Sequence, residues 1–316
     1  MVEPVNSHNK TNVLTCLEFN QVFLVDVSFD ALLDFFNDIW DDGVFPPGFL
    51  ICYSSKQMHT IERQLQQCLN RIQKWAQENG FRFSKTKTVC MHFCQLRKMH
   101  PEPELKLNNN QIPLVKEYKF LGVIFDSKMS FIPHIKYVKG KCQKALNLLK
   151  TVSRMDWGAD QEVLLRLYRS HIRSKLDYGC VVYGSARKSY IQMLDTIHHQ
   201  GLRICLGAFR TSPVESLYVA ANEESLYRRR QRLTVQYCLK IKSTPTNPVF
   251  ENIYHPKYVA RFTERSKTIP TIGIRVGNIL SNMNVNTSVI SPNRLYENPH
   301  WNLKIPSIRY DLRTEN

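Results

Sequence analysis

The sequence has no long apolar run. Its nearly uncharged stretches are short and interrupted by Lys, Arg or Asp, far below the roughly 18 apolar residues that a membrane span needs. Residues 1–10 are polar and lack the basic start and apolar core of a secretory signal. We therefore expect a soluble intracellular protein, nuclear or cytoplasmic, with no membrane partner.

Paired cysteines are absent as well. The nine cysteines are an odd number and include no Cys-x-x-Cys pair, so the sequence does not indicate a disulfide framework. Only Cys90, His92 and Cys94, with His100 beyond them, combine ligands that suit zinc. Their spacing is wrong for a zinc finger, and alternation along a strand explains it without a metal. We predict no metal site and no cofactor in this chain.

Basic residues are scarce at the start of the chain and acidic residues are scarce after it. The chain carries 43 Lys and Arg against 27 Asp and Glu, a net charge of +16. Residues 1–48 contain one base, Lys10, and eight acids, a net of −7, so the remainder carries +23. Such an excess favours a polyanionic partner, nucleic acid above all, because phosphate contacts release counterions. A merely basic, solvated surface is the alternative.

Apolar periodicity predicts the first elements. Helical spacing predicts a helix over 28–42, which stops at the breaker Pro46-Pro47-Gly48. The apolar run Phe49–Tyr53 predicts a buried strand. Helical spacing over 60–79, closed by Asn79-Gly80, predicts a second helix.

Three further β features follow. Alternating residues predict a strand over 88–93 and another over 118–125. Between them, the segment 105–115 predicts a hairpin, since its run of asparagines, Asn108–Asn110, can take positive φ angles in the turn.

From His134 onward the period is helical. The segment 134–150 predicts a basic amphipathic helix whose lysines either follow a phosphate backbone or keep a solvent face soluble: Lys136, Lys139, Lys141 and Lys144. Further helices are predicted over 159–176, 190–206, 213–221 and 223–241, the third with a capping box at Ser212-Pro213-x-Glu215. After Ser243, prolines recur among Asn, Ser and Thr and predict an extended, weakly packed chain.

Several motifs together resemble the late palm and thumb of a non-LTR, jockey-like retrotransposon reverse transcriptase. The palm motifs are Trp-Ala-x-Glu-Asn-Gly-Phe over 75–81, Phe-Ser-x-x-Lys-Thr over 83–88 and Lys-Phe-Leu-Gly-Val-x-Phe-Asp over 119–126. The thumb motif is Leu-Tyr-Arg-Ser-x-Ile-Arg-Ser-x-Leu-Asp-Tyr-Gly-Cys over 167–180. The resemblance implies an α+β fold with a small partial palm sheet, a mainly helical thumb and an extended C-terminal connection. The implied divisions are 1–47 (fingers-like), 48–130 (partial palm), 131–242 (thumb) and 243–316 (connection).

The resemblance implies RNA-directed DNA polymerisation on a primer-template of RNA and DNA, with two Mg²⁺ ions on palm aspartates in the intact family. It places an aromatic-x-Asp-Asp turn just before the strand at Phe49, where this chain has Pro46-Pro47-Gly48. Neither residue type ligates a metal through its side chain, so we expect an internal deletion at 47 or 48 and no catalytic residue. Trp40-Asp41-Asp42 is not a substitute, because its surroundings keep helical period. Asp26 and Asp30 are set aside because nothing upstream resembles a palm strand.

Other positions match binding apparatus of the family. Lys87 matches a lysine near the incoming triphosphate, although an exposed strand lysine is an equal alternative. Phe120, Leu121 and Gly122 match the primer-grip turn, where glycine allows close approach to the primer, although a buried strand also explains Phe and Leu. The helix lysines named above would contact phosphates.

Two arginine-bearing segments complete the candidates. Arg228, Arg229 and Arg230 form a basic run suited to nucleic-acid contact or to a solvated helix face. For the thumb motif we expect packing and an Arg–Asp pair among Tyr168, Arg169, Arg173, Asp177 and Tyr178. The leading hypothesis is a polymerase fragment that binds nucleic acid without catalysis. A non-catalytic basic RNA-binding protein and an unstable pseudogene product are the alternatives.

Overall fold

The structure is a computed structural model of the chain. It describes residues 20–23, 51–55, 57–78, 80, 83, 87–94, 101–154, 157–247, 249–256, 259–264, 270–282 and 290. The predicted helix over 28–42, the breaker Pro46-Pro47-Gly48 and the triplet Trp40-Asp41-Asp42 lie outside the described residues.

A three-stranded antiparallel sheet begins the described fold. Its strands are β1 (Asn20–Phe23), β2 (Cys52–Ser55) and β3 (Met91–Phe93), in the order β2-β1-β3. Both outer strands pair antiparallel with β1, so they run parallel to each other and are joined by helix α1 (Met58–Glu78). The arrangement is a split β-α-β unit with β1 inserted between the two parallel strands.

Helix α1 confirms the helix predicted over 60–79, apart from its last residue, which lies outside the described residues. Its buried residues recur every three or four positions: Ile61, Leu65, Leu69, Ile72 and Ala76. The predicted hairpin is also confirmed, as β4 (Lys106–Leu107) and β5 (Asn110–Gln111). Asn108 and Asn109 take φ angles of 50° and 59° in its turn, as expected of asparagine.

The predicted strand over 118–125 is wrong, because the chain reverses in its middle. It forms a second hairpin, β6 (Glu117–Phe120) and β7 (Val123–Asp126), joined by Leu121-Gly122. The apolar pattern continues through the turn and conceals it in the sequence.

Helices dominate the next part of the chain. They are α2 (Ile132–Val152), α3 (Gln161–Tyr168), α4 (Ser174–Asp177), α5 (Cys180–Tyr183), α6 (Lys188–Leu206), α7 (Val214–Ala221) and α8 (Leu226–Lys242). A π-helical turn, Arg169–Arg173, joins α3 to α4, so the predicted helix over 159–176 is present but widened. One core cluster extends from Val123 on β7 to Leu226 on α8.

The start of α7 differs from its prediction. Pro213 is the N-cap residue, in place of the Ser212 that a capping box needs there, and no side chain caps the helix. The Ser212 carbonyl oxygen instead accepts a hydrogen bond from Arg203 Nη2 at 3.1 Å. The predicted capping box is therefore wrong.

The C-terminal part is more ordered than predicted within the described residues. It contains α9 (Phe250–Tyr254), α10 (Val259–Glu264) and α11 (Ile272–Asn282). Residues of α9 and α11 pack against α8 in a separate core cluster: Cys238, Ile241, Ile253, Ile272, Val276 and Leu280. A weakly packed chain is thus the wrong description of these helices. The elements as a whole agree with the predicted α+β class, and no helix among the described residues is long and apolar enough to cross a membrane.

Candidate nucleic-acid interface

The tip of the β6–β7 hairpin is an exposed and constrained turn. Leu121 and Gly122 have φ angles of 44° and 83°, the positive values of a two-residue type I′ turn. Leu121 is 67% exposed, so burial in a plain strand is the wrong explanation for it, whereas Phe120 is half-buried. A leucine held left-handed at the surface is a strained feature of the kind that marks functional sites.

Tyr178 of the thumb-like motif holds this turn. Its hydroxyl donates to the Leu121 carbonyl oxygen at 2.5 Å, and a Cβ added to Gly122 would lie 2.9 Å from Tyr178 Cε1. The contact is reciprocal, since a Cβ added to Gly179 would lie 2.9 Å from Val123 Cγ2. The two glycines let the hairpin and the Tyr178-Gly179 segment approach at backbone distance.

Asp177 anchors the same segment to α8. Arg229 Nε donates to Asp177 Oδ1 at 2.7 Å, and Arg229 Nη2 donates to Oδ2 at 2.6 Å. This bidentate geometry is the strong form of the pair, and hydrogen bonding to Asp177 raises the pKa of Arg229. An Arg–Asp pair therefore exists at the motif, but its arginine comes from α8 and not from the motif itself.

The two arginines of the thumb-like motif form ion pairs with a different acid, Glu223. Arg169 Nε and Arg173 Nη1 both lie 2.7 Å from Glu223 Oε1, whose side chain is 2% exposed in the loop between α7 and α8. The Tyr168 hydroxyl hydrogen-bonds to His198 Nδ1 of α6. The motif thus joins the hairpin, α6, α8 and the α7–α8 loop.

The exposed face of α2 is basic. Lys136, Lys141 and Lys144 are exposed and Lys139 is half-buried, while the opposite face of the helix lies in the core. Within the described part of the chain, no carboxylate lies within ion-pair distance of any of these lysines. Helix α2 also adjoins the hairpin, since Ile124 N donates to His134 Nδ1 at 3.2 Å.

The arginine run on α8 divides into exposed and internal members. Arg228 is exposed. Arg229 and Arg230 have side chains only 15% and 13% exposed, and Arg230 Nη2 lies 3.7 Å from Asp195 Oδ1. The structure gives these two arginines internal ion pairs, and their contact with nucleic acid stays a prediction.

Curated proteins similar to this chain are polymerases of retrotransposable elements. The "Retrovirus-related Pol polyprotein from type-1 retrotransposable element R1" of Bradysia coprophila is 26% identical over 58% of this chain. The "RNA-directed DNA polymerase from mobile element jockey" of Drosophila melanogaster is 29% identical over 51% of it. An R1 polyprotein of Nasonia vitripennis is 25% identical over 50%. This chain is a homologue of R1 and jockey-type non-LTR retrotransposon polymerases.

The homology covers part of longer proteins. The chain spans 18% of the Bradysia polyprotein, 18% of the Drosophila polymerase and 49% of the Nasonia protein. No protein-family model matches the chain, and no solved structure matches it significantly.

The reason given against Asp26 and Asp30 as catalytic residues is that nothing upstream of them resembles a palm strand. The structure has a strand upstream of both, β1, which is the central strand of its sheet. Asp26 follows the end of β1 by three positions in the sequence. Both aspartates lie outside the described residues, so the absence of a catalytic residue stays a prediction.

Among the remaining candidates of this polymerase homologue, Lys87 is exposed in a turn before β3. It makes no hydrogen bond or ion pair with another described residue, so its predicted triphosphate contact stays a prediction. The Cys90-His92-Cys94 run is buried throughout, and burial raises the pKa of the Cys90 thiol to about 12. The described residues contain no group of three His, Cys, Asp or Glu arranged to hold a metal ion.

Sequence reasoning missed the residues that join hairpin to helix. Buried Asp126 accepts hydrogen bonds from Ser130 N at 3.1 Å and Phe131 N at 2.8 Å, which fixes the start of α2. Lys119 of β6 donates to the Tyr137 hydroxyl of α2 at 2.9 Å. Asp126 had a sequence signal, an acidic side chain just ahead of a helix, whereas the Lys119–Tyr137 contact is tertiary and had none.

Proposed function

We propose that this chain carries late-palm and thumb portions of a non-LTR retrotransposon reverse transcriptase, and that it binds an RNA–DNA primer-template without extending it. The observation that carries the proposal is the row of lysines on α2 with no acidic partner among the described residues. These lysines lie beside a hairpin whose exposed tip is held by Tyr178. A cationic face next to an exposed turn suits a nucleic-acid backbone, which offers regularly spaced phosphates.

The binding is proposed to be independent of base sequence. Lys136, Lys139 and Lys144 are flexible point charges without a fixed hydrogen-bond geometry, and such lysines contact phosphates rather than base edges. The Leu121-Gly122 turn brings backbone to the surface, where it can approach a strand closely. Specificity for a particular template is not part of the proposal.

The proposed loss of polymerisation rests on the segment before β2. The resemblance requires a strand and an Asp-Asp turn there, and a hairpin partner would pair along the outer edge of β2. Among the described residues no strand pairs with that edge, and the sequence before β2 has Pro46-Pro47-Gly48 in place of the aspartates. Asp26 by itself would supply one carboxylate, whereas the two-metal mechanism uses a set of them.

Binding is tested with a fluorescent RNA–DNA duplex titrated at several salt concentrations. The triple variant Lys136→Gln, Lys139→Gln, Lys144→Gln should weaken binding and reduce the slope of log affinity against log salt by about 2 to 3. A charge-matched control replaces three other exposed lysines: Lys106→Gln, Lys188→Gln and Lys240→Gln. Equal losses in both triples would show that net charge alone drives binding and would overturn the proposed interface.

Loss of catalysis is tested by primer extension with Mg²⁺ and deoxynucleoside triphosphates. No template-directed extension is expected. Primer extension by the unmodified chain would contradict the proposal. Its loss in Asp26→Asn, or in Asp41→Asn with Asp42→Asn, would identify the carboxylates that support extension. Competition by single-stranded RNA as strong as that by the duplex would instead favour a general RNA-binding protein.

A further inference from the structure

Two lysines from different elements lie over one tyrosine ring beside the β6–β7 hairpin. Lys119 Nζ, on β6, is 4.8 Å from the centroid of the Tyr137 ring, and Lys141 Nζ, on α2, is 5.6 Å from it. Lys119 Nζ also donates to the Tyr137 hydroxyl oxygen at 2.9 Å. Both ammonium groups and the hydroxyl therefore converge on one exposed spot, which we name the Tyr137 cluster.

The charge of this cluster is not neutralised by the described protein. No carboxylate among the described residues forms an ion pair with Lys119 or Lys141. The acid nearest to Lys119 along β6 is Glu117, which is exposed and likewise has no ion pair there. Two like charges gathered on one ring repel each other, so an anion that contacted both would stabilise the arrangement.

The hydroxyl adds a directional donor to the two charges. Because the Tyr137 oxygen accepts the hydrogen bond from Lys119, its own proton is free to donate outward. The ammonium groups lower the pKa of Tyr137, chiefly through the hydrogen bond from Lys119, and a more acidic hydroxyl is a better donor to an anion. Burial acts in the opposite direction and offsets part of this lowering.

We propose that the Tyr137 cluster is a phosphate-binding site that grips one backbone phosphodiester of the bound nucleic acid. This inference rests on the proposed function and adds to it a defined contact with two residues, Lys119 and Tyr137, outside the lysine row. The phosphodiester's two non-bridging oxygens accept from the two ammonium groups and the hydroxyl. Lys119 lies two residues along β6 from the Leu121-Gly122 tip. A phosphate held here therefore fixes where the nucleic-acid strand passes the turn.

The first test compares three variants with the same RNA–DNA duplex. Lys119→Gln with Lys141→Gln should reduce the salt slope by about 1, because both lysines serve one phosphate. Tyr137→Phe keeps the ring and the charges, so it should weaken binding severalfold and leave the salt slope unchanged. The control is Lys150→Gln, an exposed lysine in the last turn of the same helix, which should have little effect on affinity.

A spectroscopic test reports on the cluster directly. In protein labelled with fluorotyrosine, the ¹⁹F signal missing from Tyr137→Phe identifies Tyr137, and its pKa can be followed by pH titration. Duplex binding should raise this pKa, because the phosphate offsets the positive charges that lower it. An unchanged Tyr137 pKa with normal duplex binding would overturn the site while leaving the proposed function intact.

The remaining outcomes separate the source of the phosphate. Inorganic phosphate and a nucleoside triphosphate are compared with the duplex at equal phosphate concentration. If either raises the Tyr137 pKa as strongly as the duplex does, the assignment to a backbone phosphodiester is overturned. Failure of the unmodified chain to bind any duplex would overturn the site together with the proposed function. A pKa increase specific to duplex, with the reduced slope of the double lysine variant, would support both.

Discussion

Glycines in the middle of two long helices have opposite packing environments. Gly201 of α6 is buried, and an added Cβ would lie 2.7 Å from Tyr168 Cε2, a ring with no exposed surface. Gly140 of α2 is exposed, and an added Cβ would have no atom within 4 Å. Helix propensity favours alanine at both positions by about 1 kcal/mol. Only at Gly201 does a rigid neighbour oppose it.

Gly201→Ala should therefore destabilise the protein by about 2 kcal/mol, because the Tyr168 ring cannot move within a close-packed core. Gly140→Ala should stabilise it by up to about 1 kcal/mol. Denaturant unfolding followed by circular dichroism measures both changes. Stabilisation of the protein by Gly201→Ala would show that α6 and α3 are not packed at this distance.

His198 makes stability depend on pH. It has no exposed surface, and burial lowers its pKa from 6.5 to about 4, with neighbouring His199 acting in the same direction. Since the folded pKa is the lower one, stability is fully present above pH 6.5 and is lost as the pH falls toward 4. The loss attributable to His198 is about 3 kcal/mol.

The free energy of unfolding measured at pH 7.5 and pH 4.5 checks this prediction. His198→Gln should lower stability at pH 7.5 but should show a smaller change between the two pH values. Some change remains, because burial lowers the pKa of His134 and His199 as well. Equal changes in the variant and the unmodified protein would exclude His198 as a source of the pH dependence.

Burial of apolar residues can be predicted from this sequence better than the pairing of its charged residues. The buried stripe of α1 and the turn at Asn108-Asn109 follow from spacing and local preference, which act over a few residues. The partners of Arg169 and Asp177 do not, since Glu223 and Arg229 are each more than 50 positions away along the chain. An ion pair of that kind exists only after helices have packed, so the sequence predicts the charges and not their pairing.

At the scale of elements, the buried carboxylate of Glu223 attaches the loop between α7 and α8 to the π-helical turn. Glu223 accepts from Arg169 and Arg173, and Arg169 Nη2 also donates to the Ala221 carbonyl oxygen at 3.1 Å. These bonds attach the loop to the π-helical turn, whose two arginines are spaced to reach the same acid. Removing the acid leaves two partly buried guanidinium groups without their partner.

Glu223→Gln should destabilise the protein by about 3 kcal/mol, the cost typical of breaking a buried ion pair. The matched control is Glu162→Gln, which removes a carboxylate that is paired with Arg166 but 73% exposed, and should cost less than about 1 kcal/mol. Thermal unfolding of both variants provides the comparison. Similar effects would mean that Glu223 is not desolvated in the folded protein.

The sequence does not predict the boundaries of elements that end at a turn held by tertiary contacts. Leu121-Gly122 interrupts an alternating apolar pattern, and a leucine with positive φ is improbable from local preference. Tyr178 donates to the Leu121 carbonyl oxygen and packs on Gly122, and both contacts come from more than 50 positions away along the chain. The π-helical turn at Arg169–Arg173 is likewise not predicted from the sequence, because the spacing of its apolar residues suits an α-helix or a π-helix.

At the scale of the whole molecule, the described residues are organised around separate cores. The largest extends from Val123 to Leu226 and includes most of the buried residues of α2 and α6. A second core joins α1 to the β4–β5 hairpin, and a third joins α8 to α9 and α11. Helix α8 contributes Leu226 to the first core and Cys238 to the third and so connects them, whereas α1 shares no buried core residue with either. The sheet contacts the first core through a small fourth cluster on β3, whose neighbours Phe125 and Met129 also pack against the first core.

This organisation predicts that the chain does not open as one unit. Native-state hydrogen exchange at increasing denaturant should give the highest opening free energies in α2 and α6, and distinctly lower ones in α1, because fewer buried side chains hold it. Amides of α11 should open at or below the free energy of α8, against which α11 packs. A single opening free energy for α1, α2 and α6 would instead mean that the sheet region and the helical region unfold together. It would exclude a state in which the helical region stays folded while the sheet opens.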